Sequence, residues 1–159
     1  MPKTTDRPSM ESIIDDYTAM QMEMKAAVDE VVGPRKWQLS TNDELSRSAC
    51  KADTDDEGEE ASLPSWSTKG SLVDADRKAL AEAVWKVGRA HGFDTTGTTV
   101  DRPDDLEIFG EDAYGGRYVF GTAVNTVLGI RTGCHRWDVK PTPAPAPSGV
   151  PDYAKKDKD

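Results

Sequence analysis

Four side chains carry a thiol or an imidazole group and are the first candidates for chemistry: Cys50, Cys134, His91 and His135. Cys134 and His135 are neighbours, and a thiolate beside an imidazole forms a cysteine nucleophile. Only a free thiolate reacts, so a disulfide at Cys134 would exclude this activity. Neither cysteine lies in a CxxC or Cys/His cluster typical of zinc or redox sites. A structural disulfide between them suits an exported protein, and two unrelated buried thiols are the alternative.

An acidic run is the second candidate for chemistry. Residues 53–60 (DTDDEGEE) carry six carboxylates in eight positions. The run resembles the first half of a calcium loop, with Asp53, Asp55 and Glu57 at the first, third and fifth positions. The twelfth position requires a bidentate Glu, but Pro64 stands there. We therefore expect a solvated acidic loop and no metal site, with weak cation binding as the alternative.

Common catalytic motifs are missing from the sequence. It contains no GxSxG turn for a serine nucleophile, no GxxxxGK(S/T) loop for phosphate and no HExxH pair for zinc. A hydrolase could still use two of the 29 acidic residues, although no pattern selects a pair. We therefore expect no enzymatic activity, no catalytic residue and no cofactor, with a hydrolase as a minor alternative.

Charge and hydropathy restrict the partners and the compartment. The formal net charge is −9, whereas nucleic acids and anionic lipid headgroups bind basic faces, so neither is an expected primary partner. No apolar run approaches the roughly 18 residues of a membrane span, and the first ten residues lack the pattern of a signal peptide. Either the protein is cytoplasmic or an export segment has been removed.

Two amphipathic helices are predicted. The first begins after Ser9, a suitable N-cap, and ends at Gly33-Pro34. Its apolar face contains Ile13, Tyr17, Met20, Met24, Val28 and Val31. The second follows a capping-box-like segment at 71–74 and ends at Gly92. Its apolar stripe contains Val73, Leu80, Val84, Val87 and His91, with Trp85 covering the edge and His91 favourably placed near the helix dipole.

Strands are predicted mainly after Gly92, where the period changes from 3.6 to 2. A short strand at 35–41 is followed later by four segments rich in β-branched and aromatic residues, at 93–100, 106–109, 117–122 and 126–132. Their short links require antiparallel pairing. Two apolar pairs each share a face that the helices can cover: Tyr118 with Phe120, and Leu128 with Ile130.

These elements predict one α+β domain of two layers. Two helices pack on one face of an antiparallel sheet of four to five strands. The domain spans residues 9–139, between a flexible leader at 1–8 and a disordered proline-rich tail at 140–159.

Aromatic, glycine and cysteine residues follow one another in a characteristic order between about residues 10 and 137. The set comprises Trp37, Cys50, Trp66, Trp85, Gly92-Phe93, the YGGRY segment at 114–118, Asn125-Thr126 and Thr132-Gly133-Cys134. This ordered set resembles the LppA family of envelope lipoproteins from mycobacteria and related actinobacteria. No single motif within it is specific.

The resemblance implies an α+β lipoprotein that is exported, acylated on an N-terminal cysteine and tethered to the outer face of the cell membrane. The expected Cys50–Cys134 disulfide would join the polar linker that follows Trp37 to the last predicted strand, and it would form in the oxidising space outside the cytoplasm. The chain has no lipobox cysteine before Met10, which departs from the full-length family pattern. We interpret this departure as removal of the signal and the anchor.

The family has no established activity, so we expect function to lie in binding. The first hypothesis is a non-enzymatic, monomeric envelope lipoprotein that binds a lipid, a cell-wall component or a protein partner. Trp66, Tyr114 and Trp137 are its candidate ligand-binding residues, with packing at the rim as the alternative role for each. The second hypothesis is an acidic immunity-type protein that neutralises a basic toxin, and the third is the hydrolase.

Overall fold

The computed structural model describes residues 7–40, 45–50 and 58–141 of the chain. Its elements, in order, are α1 (Met10–Val32), β1 (Gln38–Leu39), β2 (Ser46–Ala49), β3 (Glu59–Ser62), β4 (Trp66–Thr68), α2 (Arg77–Ala90), β5 (Thr95–Arg102), β6 (Asp105–Glu111), β7 (Arg117–Thr122) and β8 (Thr126–Arg131). The predicted leader, acidic run and tail lie mostly outside these residues. Within them, no helix is long and apolar enough to cross a membrane.

The α+β architecture with an antiparallel sheet is confirmed, but the described sheet has eight strands and not four or five. The strand order is β1-β4-β8-β7-β6-β5, and the β2–β3 hairpin joins the sheet where β3 pairs with β8. The predicted strand at 35–41 is β1, and the additional strands β2, β3 and β4 are three to four residues long. Sequences such as SRSA in β2 carry no apolar alternation. The strand count was wrong because β3 and β4 pair with backbone groups at the edge of β8, which hydropathy does not reveal.

Helix α1 follows the prediction closely. The Ser9 hydroxyl accepts a hydrogen bond from the Ser12 N–H and caps the helix. Gly33, with φ of 93°, ends it. Five of the six predicted face residues are buried and the sixth, Val31, packs at the edge of the core: Ile13, Tyr17, Met20, Met24 and Val28.

Helix α2 begins later than predicted. Its N-cap is Asp76, whose side chain accepts a hydrogen bond from the Ala79 N–H. The Ser71 hydroxyl accepts from the Val73 N–H, a local bond that competes with helix formation. Leu72 is buried, and its N–H donates to Thr122 Oγ1 at 2.7 Å. The predicted capping box is therefore wrong, because a tertiary contact holds this segment in a turn.

The core lies between the helices and one face of the sheet. Tyr17 and Tyr118 pack against Phe93, with ring centroids 5.1 Å and 5.3 Å from that of Phe93. Phe93, predicted to begin a strand, lies in the turn after α2, and its N–H donates to the Gly88 carbonyl oxygen. The inward residues of β6, β7 and β8 complete the core, including both predicted apolar pairs: Leu106, Ile108, Tyr118, Phe120, Leu128 and Ile130.

Two buried tyrosine hydroxyls provide a matched test of this packing. The Tyr17 hydroxyl donates to the Asp112 carboxylate, whereas that of Tyr118 has no hydrogen-bond partner among the described residues. A buried, unpartnered polar group costs about 1–3 kcal/mol. We therefore expect Tyr118→Phe to leave the free energy of unfolding unchanged or to raise it, and Tyr17→Phe to lower it by about 1–3 kcal/mol. Urea unfolding followed by circular dichroism measures both, and equal losses would contradict the assignment.

Candidate functional site

The Cys50–Cys134 disulfide is present, with Cα atoms 6.0 Å apart and a sequence separation of 84 residues. It joins the residue after β2 to the segment after β8. Since both cysteines of the chain are bonded, Cys134 supplies no thiolate. The Cys134/His135 pair is therefore excluded as a nucleophile in this oxidised form.

His135 is fully buried beside the disulfide. Its Nδ1 lies 2.9 Å from the carbonyl oxygen of Pro8, to which it donates in the neutral tautomer. Burial lowers the pKa of His135. The ring of Tyr114 packs edge-on against the imidazole, with centroids 5.5 Å apart. His135 and Tyr114 therefore pack against each other beyond the end of β8.

Trp137 contacts a buried carboxylate on the same side of the molecule. Its Nε1–H donates to Glu59 Oε1 at 2.7 Å, and Arg47 Nε donates to the same oxygen at 2.9 Å. Burial raises the pKa of Glu59, but the hydrogen bonds from Arg47 and Trp137 and the nearby positive charge outweigh it and lower the pKa. Glu59 also forms a β-bridge with His135, whose ring contacts Tyr114.

Trp66 lies elsewhere, on β4, under the ammonium group of Lys25. Lys25 Nζ is 2.9 Å from the centroid of the indole ring, a cation–π contact. Lys25 is 7% exposed, and its burial lowers its pKa. Trp66, Tyr114 and Trp137 are thus all half-buried and engaged in intramolecular contacts. Their assignment as ligand-binding residues stays a prediction.

His91 connects the two helices. It is the C-cap of α2, and its Nδ1 and Nε2 lie 2.8 Å from Asp16 and 3.0 Å from Glu23 of α1. Burial lowers the pKa of His91, but the two carboxylates outweigh it and raise the pKa. A structural role was predicted from the helix dipole, whereas the acidic partners on α1 could not be identified without the tertiary fold.

The outward face of β6, β7 and β8, which we call the open face, is covered by no helix or strand within the described ranges. Alternate residues of these strands are buried, and those between them are half-buried or exposed. The ring of Phe109 lies over Gly97 of the neighbouring strand, where a Cβ atom would come within 2.7 Å of it. Charged, apolar and glycine positions alternate along the face: Glu107, Phe109, Glu111, Arg117, Val119, Gly121, Val127, Gly129 and Arg131.

Two arginines lie directly opposite each other on the open face, Arg117 on β7 and Arg131 on β8. Arg117 pairs with Glu111 at 2.8 Å, and its guanidinium carbon lies 4.0 Å from the centroid of the Phe109 ring. The exposed side chain of Arg131 has no such ion pair or hydrogen bond among the described residues. Like charges opposite each other destabilise a strand pair, so this pair does not serve the stability of the sheet.

A groove of about 280 Å³ borders this pair, where the chain passes from β3 to β4. Three residues, 63–65, lie between Ser62 and Trp66, but only Gly129 and Ile130 lie between their partners on β8. This mismatch is a bulge, and Pro64 at its centre has no N–H to donate. The groove is lined by Ser62, Leu63, Ser65, Arg117, Val119, Gly129, Ile130 and Arg131.

A smaller hollow of about 70 Å³ shares Ser62 and Arg131 with the groove and extends towards Ser46 and Ser48 on β2. Glu60 also lines it. Together the two depressions present guanidinium and hydroxyl groups, which donate hydrogen bonds to oxygen-rich ligands, and the carboxylate of Glu60. In the described part of the chain, no group of three His, Cys, Asp or Glu residues could hold a metal ion.

Sequence reasoning missed this groove. Arg117 begins the predicted strand at 117–122, and Arg131 lies within the one at 126–132. Since side chains alternate between the two faces of a strand, the sequence already indicates that both arginines lie on the face away from the helices. Their direct opposition depends on the register of β7 and β8, and the groove depends on the bulge at Pro64. Neither the register nor the bulge follows from composition or periodicity.

A larger hollow of about 710 Å³ lies between α1 and α2 on the side away from the sheet. Its floor consists of small apolar side chains, including Ala26, Ala27, Ala79 and Ala83. Its charged rim is partly neutralised internally, since Arg89 pairs with Glu82 at 3.2 Å. The groove differs from this hollow in having an exposed arginine without an ion pair among the described residues.

The two histidines of the chain are expected to titrate on opposite sides of the usual imidazole pKa of 6.5. The raised pKa of His91 means that its stabilising contribution is present below 6.5 and is lost as the pH rises through its folded-state pKa. The lowered pKa of His135 means that its contribution is present above 6.5 and is lost as the pH falls through its folded-state pKa.

Proton NMR of the imidazole Cε1–H resonances measures both pKa values in one titration. His91→Gln identifies the His91 signal and leaves that of His135 in place. A His91 pKa below that of His135 would contradict the contacts described above.

Comparisons with known proteins agree with this fold. The profile of the LppA family, described as a lipoprotein confined to pathogenic Mycobacterium, matches residues 2–136. The crystal structure of the lipoprotein LppA from Mycobacterium tuberculosis superposes with a TM-score of 0.68 at 13% identity, covering 90% of this chain and 89% of that chain. A DUF4853 family protein from Actinomyces odontolyticus superposes with a TM-score of 0.56 at 17% identity, covering 96% of this chain and 81% of that chain. A search of curated proteins gave no significant match. The predicted resemblance is confirmed, and the chain belongs to the LppA lipoprotein family.

Proposed function

We propose that this protein is a non-enzymatic lipoprotein of the bacterial cell envelope that binds a ligand on the open face of its sheet. An acyl anchor tethers it to the outer face of the cell membrane. The observation that carries the binding function is the direct opposition of Arg117 and Arg131 beside a groove.

The envelope location is supported by the Cys50–Cys134 disulfide and by the description of the family as lipoproteins. Disulfides persist in oxidising compartments and are rare in the reducing cytoplasm. This bond has a sequence separation of 84 and links the residue after β2 to the segment after β8. A stable structural bridge of this kind favours a protein that works outside the cytoplasm.

A binding role is supported by the difference between the two faces of the sheet. The inward face is filled by apolar side chains and covered by the helices. The open face retains Arg131 with no charged partner among the described residues, although the protein as a whole carries an excess of negative charge. An arginine kept opposite another arginine is favourable when an anion lies between them.

A role other than catalysis is supported by the internal hydrogen bonds of several titratable side chains. His91 bridges the helices, His135 packs beside the disulfide, and Glu59 accepts hydrogen bonds from Arg47 and Trp137. Asp112 accepts hydrogen bonds from the Tyr114 and Gly116 N–H groups and from a tyrosine hydroxyl. These contacts orient the groups within the fold and leave them little freedom to transfer protons to a substrate.

The location is tested in the source bacterium by labelling with an alkyne analogue of palmitate and by protease treatment of intact cells. We expect the full-length protein to carry the label, to enter the detergent phase and to be digested from outside. A cytoplasmic protease-sensitive protein of known location serves as the control. Recovery of an unlabelled, protease-protected protein with reduced cysteines would contradict the proposal.

The binding face is tested by NMR chemical-shift mapping of the ¹⁵N-labelled chain. The probe is a water-soluble polysaccharide extract of the source bacterium's envelope. We expect the largest shifts at amides of Val127, Gly129 and Arg131, and small shifts at Glu82 and Lys86 in the hollow between the helices. Shifts centred on that hollow, or no shifts at all, would contradict binding on the open face.

A further inference from the structure

We infer that the groove beside Arg131 binds a sugar unit bearing one negative charge, as a carboxylate or a phosphodiester, within a soluble glycan chain. This inference rests on the proposed function, since it names the ligand chemistry of the same open face. Its support comes from the charge of the groove, the hydroxyl groups around it, Gly129 in its lining and Gly121 elsewhere on the open face.

The charge of the groove fits a single anion. Glu111 neutralises Arg117 at 2.8 Å, so the pair of arginines offers one uncompensated positive charge, that of Arg131. Guanidinium groups bind carboxylate and phosphate oxygens through two parallel hydrogen bonds. Stacking on Phe109 and pairing with Glu111 fix the orientation of Arg117. Arg131 is therefore the principal anion-binding group, and Arg117 is placed to contribute a second donor.

The surroundings of Arg131 fit a hydroxylated ring. Ser62 and Ser65 line the groove on one side and can donate to or accept from sugar hydroxyls. Val119 and Gly129 form a flat, apolar part of the lining that suits the C–H face of a sugar ring. The volume of about 280 Å³ lies near the lower end of ligand sites, which corresponds to a small unit of a longer molecule.

The adjoining hollow extends the site beyond one unit. It continues past Arg131 to the hydroxyl groups of Ser46 and Ser48 on the β2–β3 hairpin. A ligand held at Arg131 can therefore continue along the edge of the sheet. This continuity favours a chain of sugars over an isolated small anion.

Two glycines in the open face are not required by internal packing. A Cβ atom at Gly129 would lie 3.5 Å from Ser65 Oγ, and one at Gly121 would have its nearest neighbour at 3.8 Å, both ordinary contacts. By contrast, a Cβ atom at Gly110 on the inward face would collide with the ring of Tyr118. Glycine weakens a strand and often marks the close approach of a ligand. Gly121 and Gly129 therefore keep the face accessible.

The overall charge favours a soluble glycan over a membrane surface as the source of the anion. The chain carries a formal charge of −9, and an anionic bilayer presents many negative charges over a wide area. A single glycan unit meets only the local field of the two arginines. Repulsion from the rest of the protein therefore penalises a bilayer much more than a short oligosaccharide.

The inference is tested by titrating the full chain with tetragalacturonate and, in parallel, with its fully methyl-esterified form. The ester has the same sugar skeleton without the negative charge. Glucose 1-(methyl phosphate) is the phosphodiester probe. We expect at least one anionic probe to bind, at least about tenfold more tightly than the ester, with NMR shifts centred on Gly129 and Arg131. Equal binding of the ester, or binding by neither anionic probe, would overturn the inference.

Three substitutions separate recognition from general electrostatics. Arg131→Gln is expected to weaken binding about tenfold or more, whereas Arg102→Gln, the same change at an exposed site on β5, leaves affinity within about twofold. Gly129→Val fills the floor without changing charge and is also expected to weaken binding about tenfold. Thermal melting and the NMR spectrum establish that each variant is folded. Equal effects of Arg131→Gln and Arg102→Gln would overturn the assignment of the site.

Control ligands distinguish the source of the anion. Inorganic phosphate and vesicles of phosphatidylglycerol with phosphatidylcholine are added to separate samples. Tighter binding to the vesicles than to both sugar probes would overturn the glycan assignment, as would equal binding to phosphate. If the envelope extract shifts the open-face amides while both anionic sugars fail, the ligand class is wrong and the proposed binding face stands. If the extract also fails, both are wrong.

Discussion

The attachment of the β2–β3 hairpin to the end of β8 is the constraint on which the open-face groove depends. β4 occupies the first half of the β8 edge and β3 occupies its end, so one strand supports two separate segments. Four backbone hydrogen bonds join residues 59–63 to residues 130–135, and the Cys50–Cys134 disulfide adds a covalent link beside them. A cross-link between distant parts of a chain stabilises mainly by restricting the unfolded state, so the bond favours this contact between segments far apart in the sequence. The bulge between the two segments then creates the groove beside Arg131.

The two faces of the sheet differ in how tightly their side chains are packed. The inward face is closely packed: Gly88 and Gly110 leave room for the ring of Tyr118, and Phe93 and Tyr17 complete an aromatic cluster. Substitutions there meet steric conflict, because protein interiors are close-packed. On the open face, small residues lie where larger ones would fit, and a charge is left uncompensated. Stability explains the first face, and binding is our explanation for the second.

The sequence predicted the elements whose pattern is long and regular. Helix α1 and strands β6, β7 and β8 were found because a repeated apolar spacing identifies a buried face over several turns or residue pairs. Short polar strands such as β2 have no such signal, since they form only where the edge of another strand is available. The start of α2 was misplaced because the burial of Leu72 and its bond to Thr122 override a favourable local capping pattern.

Functional prediction from residue type was less informative than prediction of the fold. Aromatic residues in loops suggested ligand contacts; Trp66, Tyr114 and Trp137 are half-buried and each contacts a residue of the fold, and their role in ligand binding stays a prediction. The arginine pair became visible only once the register placed Arg117 opposite Arg131. Such a pair differs from an ordinary surface charge because the strand register places two positive charges directly opposite each other, and their repulsion destabilises the strand pair. Sequence can therefore supply the two residues but not the reason to consider them together.

The most direct test of this account is amide hydrogen exchange of the full chain with the disulfide oxidised and then reduced. If the disulfide holds the hairpin against β8, reduction increases exchange at Ala61 and Thr132, whose N–H groups bond across β3 and the end of β8. Amides of Tyr118 and Phe120 in the centre of the sheet retain their protection. Unchanged exchange at Ala61 and Thr132, or equal loss of protection throughout the sheet, would contradict the account.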